Sequence, residues 1–244
     1  SSSLDLKEYS PDFVSVSFYK IFGYPTGLGC LLIKKSSFSK LQKRWFAGGT
    51  VSLAAAKEPY HFLAQNHERF ENGTLDYLGI PALKIGLDYI SSIGMTRINE
   101  RVQGLMNYLH GNLKKLEHSN GKAILDIFGH PDRAQTGGTM IVCFKGSDGS
   151  KIGFEEVENR ANAKGISIRS GCFCNPGLDE TNNCITSDEL SSYFKSRDTG
   201  NYWDMIDFLK RMRGATRVSV GIATTQKDLD AFIAFVLSFE DKEN

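Results

Sequence analysis

Ser17-Phe18-Tyr19-Lys20-Ile21-Phe22-Gly23-Tyr24-Pro25-Thr26-Gly27-Leu28-Gly29 is the stretch whose reading decides what kind of fold this chain adopts. Ahead of it, Phe13-Val14-Ser15-Val16-Ser17 alternates apolar and small polar residues, the period of a half-buried strand. After it, Cys30-Leu31-Leu32-Ile33 reads as a second strand. Lys20 therefore stands just past a strand end, beside Ser17 and Tyr19 and ahead of a glycine-rich loop. Glycine adopts backbone angles closed to other residues and lets N–H groups come close to an anion. An amine held there against a phosphate-sized pocket has what a Schiff-base site requires. The residues by themselves leave the plainer reading open: lysines are mostly exposed, and the glycines could serve only the turn.

Residues 36–45 alternate hydrophobic and basic side chains like a short helix, which Gly48-Gly49-Thr50 breaks. A polar helix is predicted over 57–69 and a loop at Glu71-Asn72-Gly73-Thr74. After Pro81, Leu83, Leu87 and Ile90 have helical spacing up to Gly94. Val102, Leu105, Met106, Leu109, Leu113 and Leu116 then recur at i, i+3, i+4 and i+7. This second helix is expected to bridge two domains, 1–97 and 98–244. Beyond Asn120-Gly121 the elements shorten. Strands are predicted at 140–144, 166–169 and 216–220, with a hairpin-like turn at Asp148-Gly149. Helices are predicted at 154–163, ended by Lys164-Gly165, and at 226–239, with one or two surface helices within 186–212. Strands separated by helices predict an α/β or α+β architecture.

The chain has 244 residues, 41% of them hydrophobic and 23% charged, enough apolar material for one large or two modest cores. A net charge of +1 gives no basic field for nucleic acid. No apolar run approaches the roughly 18–20 residues of a membrane helix. Five cysteines, odd in number and irregularly spaced, favour free thiols in a reducing compartment, hence the cytoplasm, over a disulfide framework. The opening Ser1-Ser2-Ser3 suggests a processed or truncated start.

A second constellation is Arg169-Ser170-Gly171-Cys172-Phe173-Cys174-Asn175-Pro176-Gly177. A thiol on a loop bounded by glycine and proline can be accessible and mobile, as a sulfur carrier must be. A cation such as Arg169 favours the reactive thiolate. Three bland readings compete: inert buried cysteines, alternation of Cys172 and Cys174 across a strand, and a metal set with Cys184. The Cys-x-Cys spacing and the missing fourth ligand count against the metal set, and no metal is expected. Arg217, in the alternating run Ala215-Thr216-Arg217-Val218-Ser219-Val220, could present a bidentate fork to a carboxylate or simply face solvent. His61 and His67 have no evident partner.

Five segments taken together carry a resemblance. Residues 17–29, 45–51 (Trp45-Phe46-Ala47-Gly48-Gly49-Thr50-Val51), 70–74 (Phe70-Glu71-Asn72-Gly73-Thr74), 169–177, and Arg217 with Ser219 and Gly221 occur in the family's order. They resemble the molybdenum cofactor sulfurases, members of the class V aminotransferase-like cysteine desulfurases, over residues 4 to 237. The resemblance implies a pyridoxal-phosphate-dependent (PLP-dependent) transferase of fold type I: a partial large domain with a mixed sheet, then a small α+β domain. It implies that Lys20 carries pyridoxal 5'-phosphate and Ser17 holds its phosphate, with Tyr19 where broader desulfurases have histidine. Thr74 would reach the phosphate, in related homodimers from the neighbouring subunit. Cys174 would become the persulfide carrier, Cys172 its neighbour. Arg217 would clamp the substrate carboxylate, and Asn175 would shape that pocket. The implied substrate is L-cysteine, and the implied acceptor is the molybdenum cofactor or a molybdoenzyme.

The sequence also departs from that pattern. The aspartate that holds the pyridine nitrogen, the residue stacked on the ring and the main phosphate turn precede the lysine segment in this fold, yet only 19 residues precede Lys20. Asp5 and Asp12 lie too close to take the aspartate's role. An exposed sheet edge and an uncovered apolar face are expected, and so is poor cofactor binding by this polypeptide alone. The family's third cysteine is replaced by Leu178-Asp179, with Cys184 a displaced substitute. Three alternatives remain: a general cysteine desulfurase or selenocysteine lyase, a non-catalytic scaffold, and a metal-binding module.

Overall fold

The computed structural model describes residues 4–130, 136–211 and 213–241, and the chain divides into two compact units on either side of the Met95-Thr96 bond. In the first unit a one-turn helix α1 (Leu6–Tyr9) leads into β1 (Phe13–Ser17), a second one-turn helix α2 (Tyr19–Phe22) and β2 (Gly29–Ile33). The alternation in 13–17 does form a strand: β1 pairs antiparallel with β2 from Phe13↔Ile33 to Ser17↔Gly29. A side chain at position 29 would press its Cβ within 2.6 Å of the Val16 carbonyl, so glycine lets the two backbones close up there. Further on lie a 3₁₀ turn (Lys35–Lys40), β3 (Val51–Ala54), β4 (His61–Leu63) and a second 3₁₀ turn (Asn66–Phe70). Strands β3 and β4 form an antiparallel ladder with an irregular register between Val51 and Leu53. The unit ends with α3 (Ile80–Ile93), which has proline in its first turn and stops at Gly94, φ 89°.

Two expectations fail here. The helix predicted over 57–69 is instead β4 and a 3₁₀ turn, because Pro59 interrupts the segment and no apolar stripe would reward a helix. The helix predicted over 36–45 shrinks to the 3₁₀ turn at Lys35–Lys40. Both ladders are antiparallel, so the mixed sheet expected of the large domain is represented here by hairpins alone. Among the described residues this unit buries only Pro25 and Ala64 of its apolar residues, while Leu31, Leu32, Trp45, Phe62, Leu78 and Ile85 are exposed.

The second unit has a true core. Helix α4 (Met95–Leu113) buries Val102, Met106, Leu109 and Leu113, the stripe its spacing predicts. It is followed by β5 (Leu125–Phe128), β6 (Thr139–Phe144), α5 (Phe154–Ala163), β7 (Arg169–Gly171), α6 (Pro176–Asn182), α7 (Ser187–Lys195), α8 (Tyr202–Leu209), β8 (Ala215–Ser219) and α9 (Gln226–Leu237). The four strands make one antiparallel sheet, in the order β5-β6-β8-β7. Met140, Val142 and Phe144 of β6 are buried, as are Val157 of α5 and Phe235 and Val236 of α9. Phe144 meets Phe235 and Phe239 with ring centroids 5.8 and 4.7 Å apart, a packing geometry aromatic pairs prefer. The strand predicted at 166–169 lies instead at Arg169–Gly171, and Cys172 and Cys174 fall beyond it. They therefore do not alternate across a strand. Helix α6 and strands β3 and β5 are elements the sequence did not announce.

Candidate functional site

The candidate residues fall in both units. In the first, β1 ends at Ser17 and the chain turns at once into α2, which puts Tyr19 and Lys20 on its first two positions. Both are exposed, and the Lys20 ammonium lies 5.6 Å from the Tyr19 ring centroid. No carboxylate among the described residues pairs with Lys20, so its amine is available.

A separate loop pair brings together two of the segments singled out in the sequence. Thr50 is buried and folds the 47–50 turn on itself: Ala47 N–H donates to Thr50 Oγ1 at 2.9 Å, and that hydroxyl donates to the Ala47 carbonyl at 2.8 Å. The Gly73 N–H then donates to the Gly48 carbonyl at 2.7 Å. Gly49 and Gly73 have φ of 80° and 74°, conformations that glycine takes without strain. Thr74 follows on this loop and is exposed.

The two nearby aspartates are already engaged. Asp5 caps α1 by accepting the Lys7 N–H at 2.8 Å. Asp12 accepts from the Ser37 hydroxyl and lies 3.8 Å from the Lys40 ammonium. The Ser37 hydrogen bond, then the Lys40 charge, hold its carboxyl below the usual range. The unit's large hollow, about 680 Å³, is lined by Lys35, Lys43, Arg44 and Arg69 and by none of the candidate residues.

In the second unit the geometry is tighter. Strand β7 pairs with β8 in the register Arg169↔Arg217, Ser170↔Thr216, Gly171↔Ala215. Directly opposed residues share a sheet face, so two arginines stand side by side, an arrangement that like charges disfavour. Among the described residues neither has a carboxylate partner. The Arg217 guanidinium lies 5.9 Å from the Phe173 ring centroid, and its Nε is buried without a hydrogen-bond partner. The Ser170 hydroxyl is likewise buried and unpartnered. Ser170, opposite Thr216, lies on the other face of the sheet. On the arginine face, a buried donor left unpaired costs about 1–3 kcal/mol, which an acceptor from outside would recover at Arg217.

Beyond β7 the chain reverses sharply. Asn175 N–H donates to the Cys172 carbonyl at 3.0 Å, across Phe173 and Cys174 with φ of 57° and 56°. Two consecutive positive φ values are the signature of a type I′ turn, normally built from Asn and Gly. Phe and Cys there cost roughly 1–2 kcal/mol each, and strain of this kind gathers at functional sites. The turn leaves Cys174 exposed and Cys172 half-buried. The Asn175 side chain caps α6, its Oδ1 accepting the Leu178 N–H at 3.1 Å. Cys184 lies past the far end of α6 with φ 51°. Among the described residues no three His, Cys, Asp or Glu side chains are arranged to hold a metal ion.

Phe173 and a buried cluster around Asp179 escaped the sequence reading. Asp179 accepts from Gly214 N–H at 2.8 Å, from Asn183 Nδ2 at 3.0 Å and from the Arg213 guanidinium. Its signal was present, since Leu178-Asp179 is where the chain departs from the family pattern.

The chain belongs to the aminotransferase class-V family, whose pattern matches residues 1–232. Within that class it is 39% identical over 243 residues to the molybdenum cofactor sulfurase of Drosophila mojavensis, covering 96% of this chain and 31% of that protein. It is 37% identical over 253 residues to the molybdenum cofactor sulfurase of Drosophila melanogaster, covering 98% and 32%. The chain thus spans about a third of the length of these relatives. Among solved structures, the apo cysteine desulfurase of Thermococcus onnurineus NA1 superposes with a TM-score of 0.69 at 21% identity, over 96% of this chain and 48% of that one. The cysteine desulfurase CsdA of Escherichia coli gives 0.67 at 17%, over 95% and 47%. The fold is accordingly part of the α/β architecture the sequence implied.

Proposed function

We propose that this chain is the lysine- and cysteine-bearing part of a pyridoxal-phosphate-dependent L-cysteine desulfurase of the molybdenum cofactor sulfurase kind. Residues 1–97 are then the later part of the large domain and 98–244 the small domain. The observation that carries the proposal is the corner of the second unit, where an exposed thiol sits on a strained turn next to the arginine pair Arg169 and Arg217. Such a corner suits an amino acid with a carboxylate at one end and sulfur at the other.

The first unit fits the cofactor in its donor set. Lys20 offers an exposed primary amine, Ser17 and Thr74 offer exposed hydroxyls, and the Gly48–Gly73 loop pair approaches closely at its backbone. Tyr19 stands ready beside the amine. When bound, pyridoxal phosphate supplies an electron sink for charge developing at the substrate α carbon.

The chain's own residues supply the rest. Arg217, with Arg169 beside it, binds the substrate carboxylate in a bidentate fork, and Asn175 shapes that end of the pocket. Lys20 moves a proton at the α carbon. Cys174 attacks the substrate sulfur as a thiolate. An S–S bond forms as the C–S bond breaks, the carbon side keeps the electron pair and takes up a proton to become alanine, and Cys174 is left as a persulfide. The terminal sulfur is then available to the molybdenum cofactor or a molybdoenzyme. Thr74 reaching a neighbouring chain's cofactor would make the working unit a homodimer.

The test is to incubate the chain with pyridoxal phosphate and L-cysteine, then measure alanine and the mass of the 170–184 peptide. A slow mass gain of one sulfur on Cys174, well short of one per chain because this polypeptide alone holds the cofactor poorly, is expected, and it should be abolished in Cys174→Ala and in Lys20→Ala. Alanine release that survives Cys174→Ala would refute the assignment.

A further inference from the structure

We infer that Asp179 is a positioning residue: with Arg213 it clamps the helix that follows the Cys174 turn onto the root of the strand that carries Arg217. The inference rests on the carrier reading of Cys174 for its functional meaning, but its structural content stands apart from it. Asp179 and Arg213 are both buried, 5% exposed each, and pair directly. The same carboxylate accepts the Gly214 N–H at 2.8 Å, immediately before β8 begins at Ala215. It also accepts from Asn183 at 3.0 Å, and the Tyr202 hydroxyl donates to it at 3.5 Å. The Arg213 guanidinium lies 5.1 Å from the Tyr202 ring centroid and meets Met205 as well.

Follow the chain from the thiol. Cys174 is followed by Asn175, the cap of α6, and Asp179 N–H donates to the Asn175 carbonyl at 3.3 Å. On the other side of the turn, Gly171 pairs with Ala215, the residue after Gly214. The strained turn therefore has two anchors, and both end on the same stretch, 213–215. One is the β7–β8 ladder; the other is Asp179. With two left-handed non-glycine residues between them, the turn would relax to ordinary angles if either anchor were released. The distance of the thiol from Arg217 is then fixed by a buried charge pair that touches neither. A buried pair can often be exchanged for apolar side chains with little loss of stability, so the role assigned to this one is geometric.

The test is site-resolved amide exchange on the 244-residue chain and on Asp179→Leu/Arg213→Met, which replaces the pair with apolar bulk. The Asn175 and Leu178 amides are expected to lose about tenfold or more in protection while the β6 amides keep theirs. A pair that only stabilised the unit would move both sets or neither. Unchanged protection at 175 and 178 with an intact β6 would overturn the inference. If the double variant loses β6 protection, the parent chain decides. There the Gly214, Asn175 and Leu178 amides should open together, with protection within about threefold of one another; a spread of about a hundredfold overturns the clamp. None of these results depends on turnover, so a failed carrier assignment and a failed clamp give different outcomes.

Discussion

Alkylation should separate the five thiols in an order set by the fold, and Cys143 gives the sharpest number. It lies on β6, 7% exposed, with its sulfur 3.6 Å from the Gly214 carbonyl. Burial pushes its thiol from 9.0 up to about 11. At pH 8 a thiol of pKa 9 is about one-tenth thiolate and one of pKa 11 about one-thousandth, so its reactive form is roughly a hundredfold scarcer. Iodoacetamide in excess, quenched over time and read peptide by peptide, should therefore modify Cys143 at least a hundredfold more slowly than free N-acetylcysteine. Cys174 and Cys184, both exposed, should be modified first. The same shift predicts a stability slope. A thiol whose folded pKa is raised keeps its proton longer in the native state, so stability is full below about pH 9 and falls as pH rises toward 11. Two units at 1.36 kcal/mol each amount to about 2.7 kcal/mol. Cys143→Ala should flatten that slope in urea titrations. Labelling of Cys143 in the folded chain within about tenfold of the reference thiol would show that the root of β8 is not packed as described.

Three further outcomes follow from the geometry. Arg217→Ala should raise the KM for L-cysteine by about 10- to 100-fold, the worth of a charged hydrogen-bonded pair, while leaving the alkylation rate of Cys174 unchanged. Phe144→Ala removes a fully buried ring packed on Phe235 and Phe239 and should cost about 3–5 kcal/mol in urea unfolding of the second unit. Glu189 and Asp228 close capping boxes with Thr186 and Thr225, whose backbone and hydroxyl hydrogen bonds hold both carboxyls below the usual range. Their contribution is present above the ordinary carboxylate pKa and lost as pH falls through the lowered values. Helicity followed by circular dichroism during acid titration should drop earlier in Thr225→Ala than in the parent chain.

Where periodicity was strong the fold was legible. The apolar stripe from Val102 to Leu113 is a buried helix face, and the alternation of 13–17 and 216–220 marks two strands. It failed where local pattern was weak. The segment 57–69 has neither a stripe nor an alternation, and only pairing with Val51–Ala54 makes His61–Leu63 a strand. Among the proposed site residues, Lys20, Cys174 and Arg217 could be nominated from sequence because lysine, cysteine and arginine carry chemistry in their side chains. Phe173 and Asp179 were not. One acts through a left-handed backbone and a ring beneath a guanidinium, the other through burial against Arg213. Neither property has a sequence period.

The uneven core bears on the chemistry. The second unit buries its own apolar residues, so the Cys174 turn hangs from a sheet that holds itself together. The first unit leaves Leu31, Leu32 and Phe62 on its hairpins and Ile85 on α3 in solvent, and hydrophobic burial is the main term that offsets the entropy of ordering a chain. A hairpin pair that buries only Pro25 and Ala64 among its apolar residues cannot supply that term alone. The Lys20 amine therefore rests on a unit with little buried apolar packing, whereas the thiol rests on the unit that buries its own core. Conditions that loosen the first unit should impair any chemistry needing Lys20 before they alter the reactivity of Cys174, since the two groups rest on cores of unequal strength.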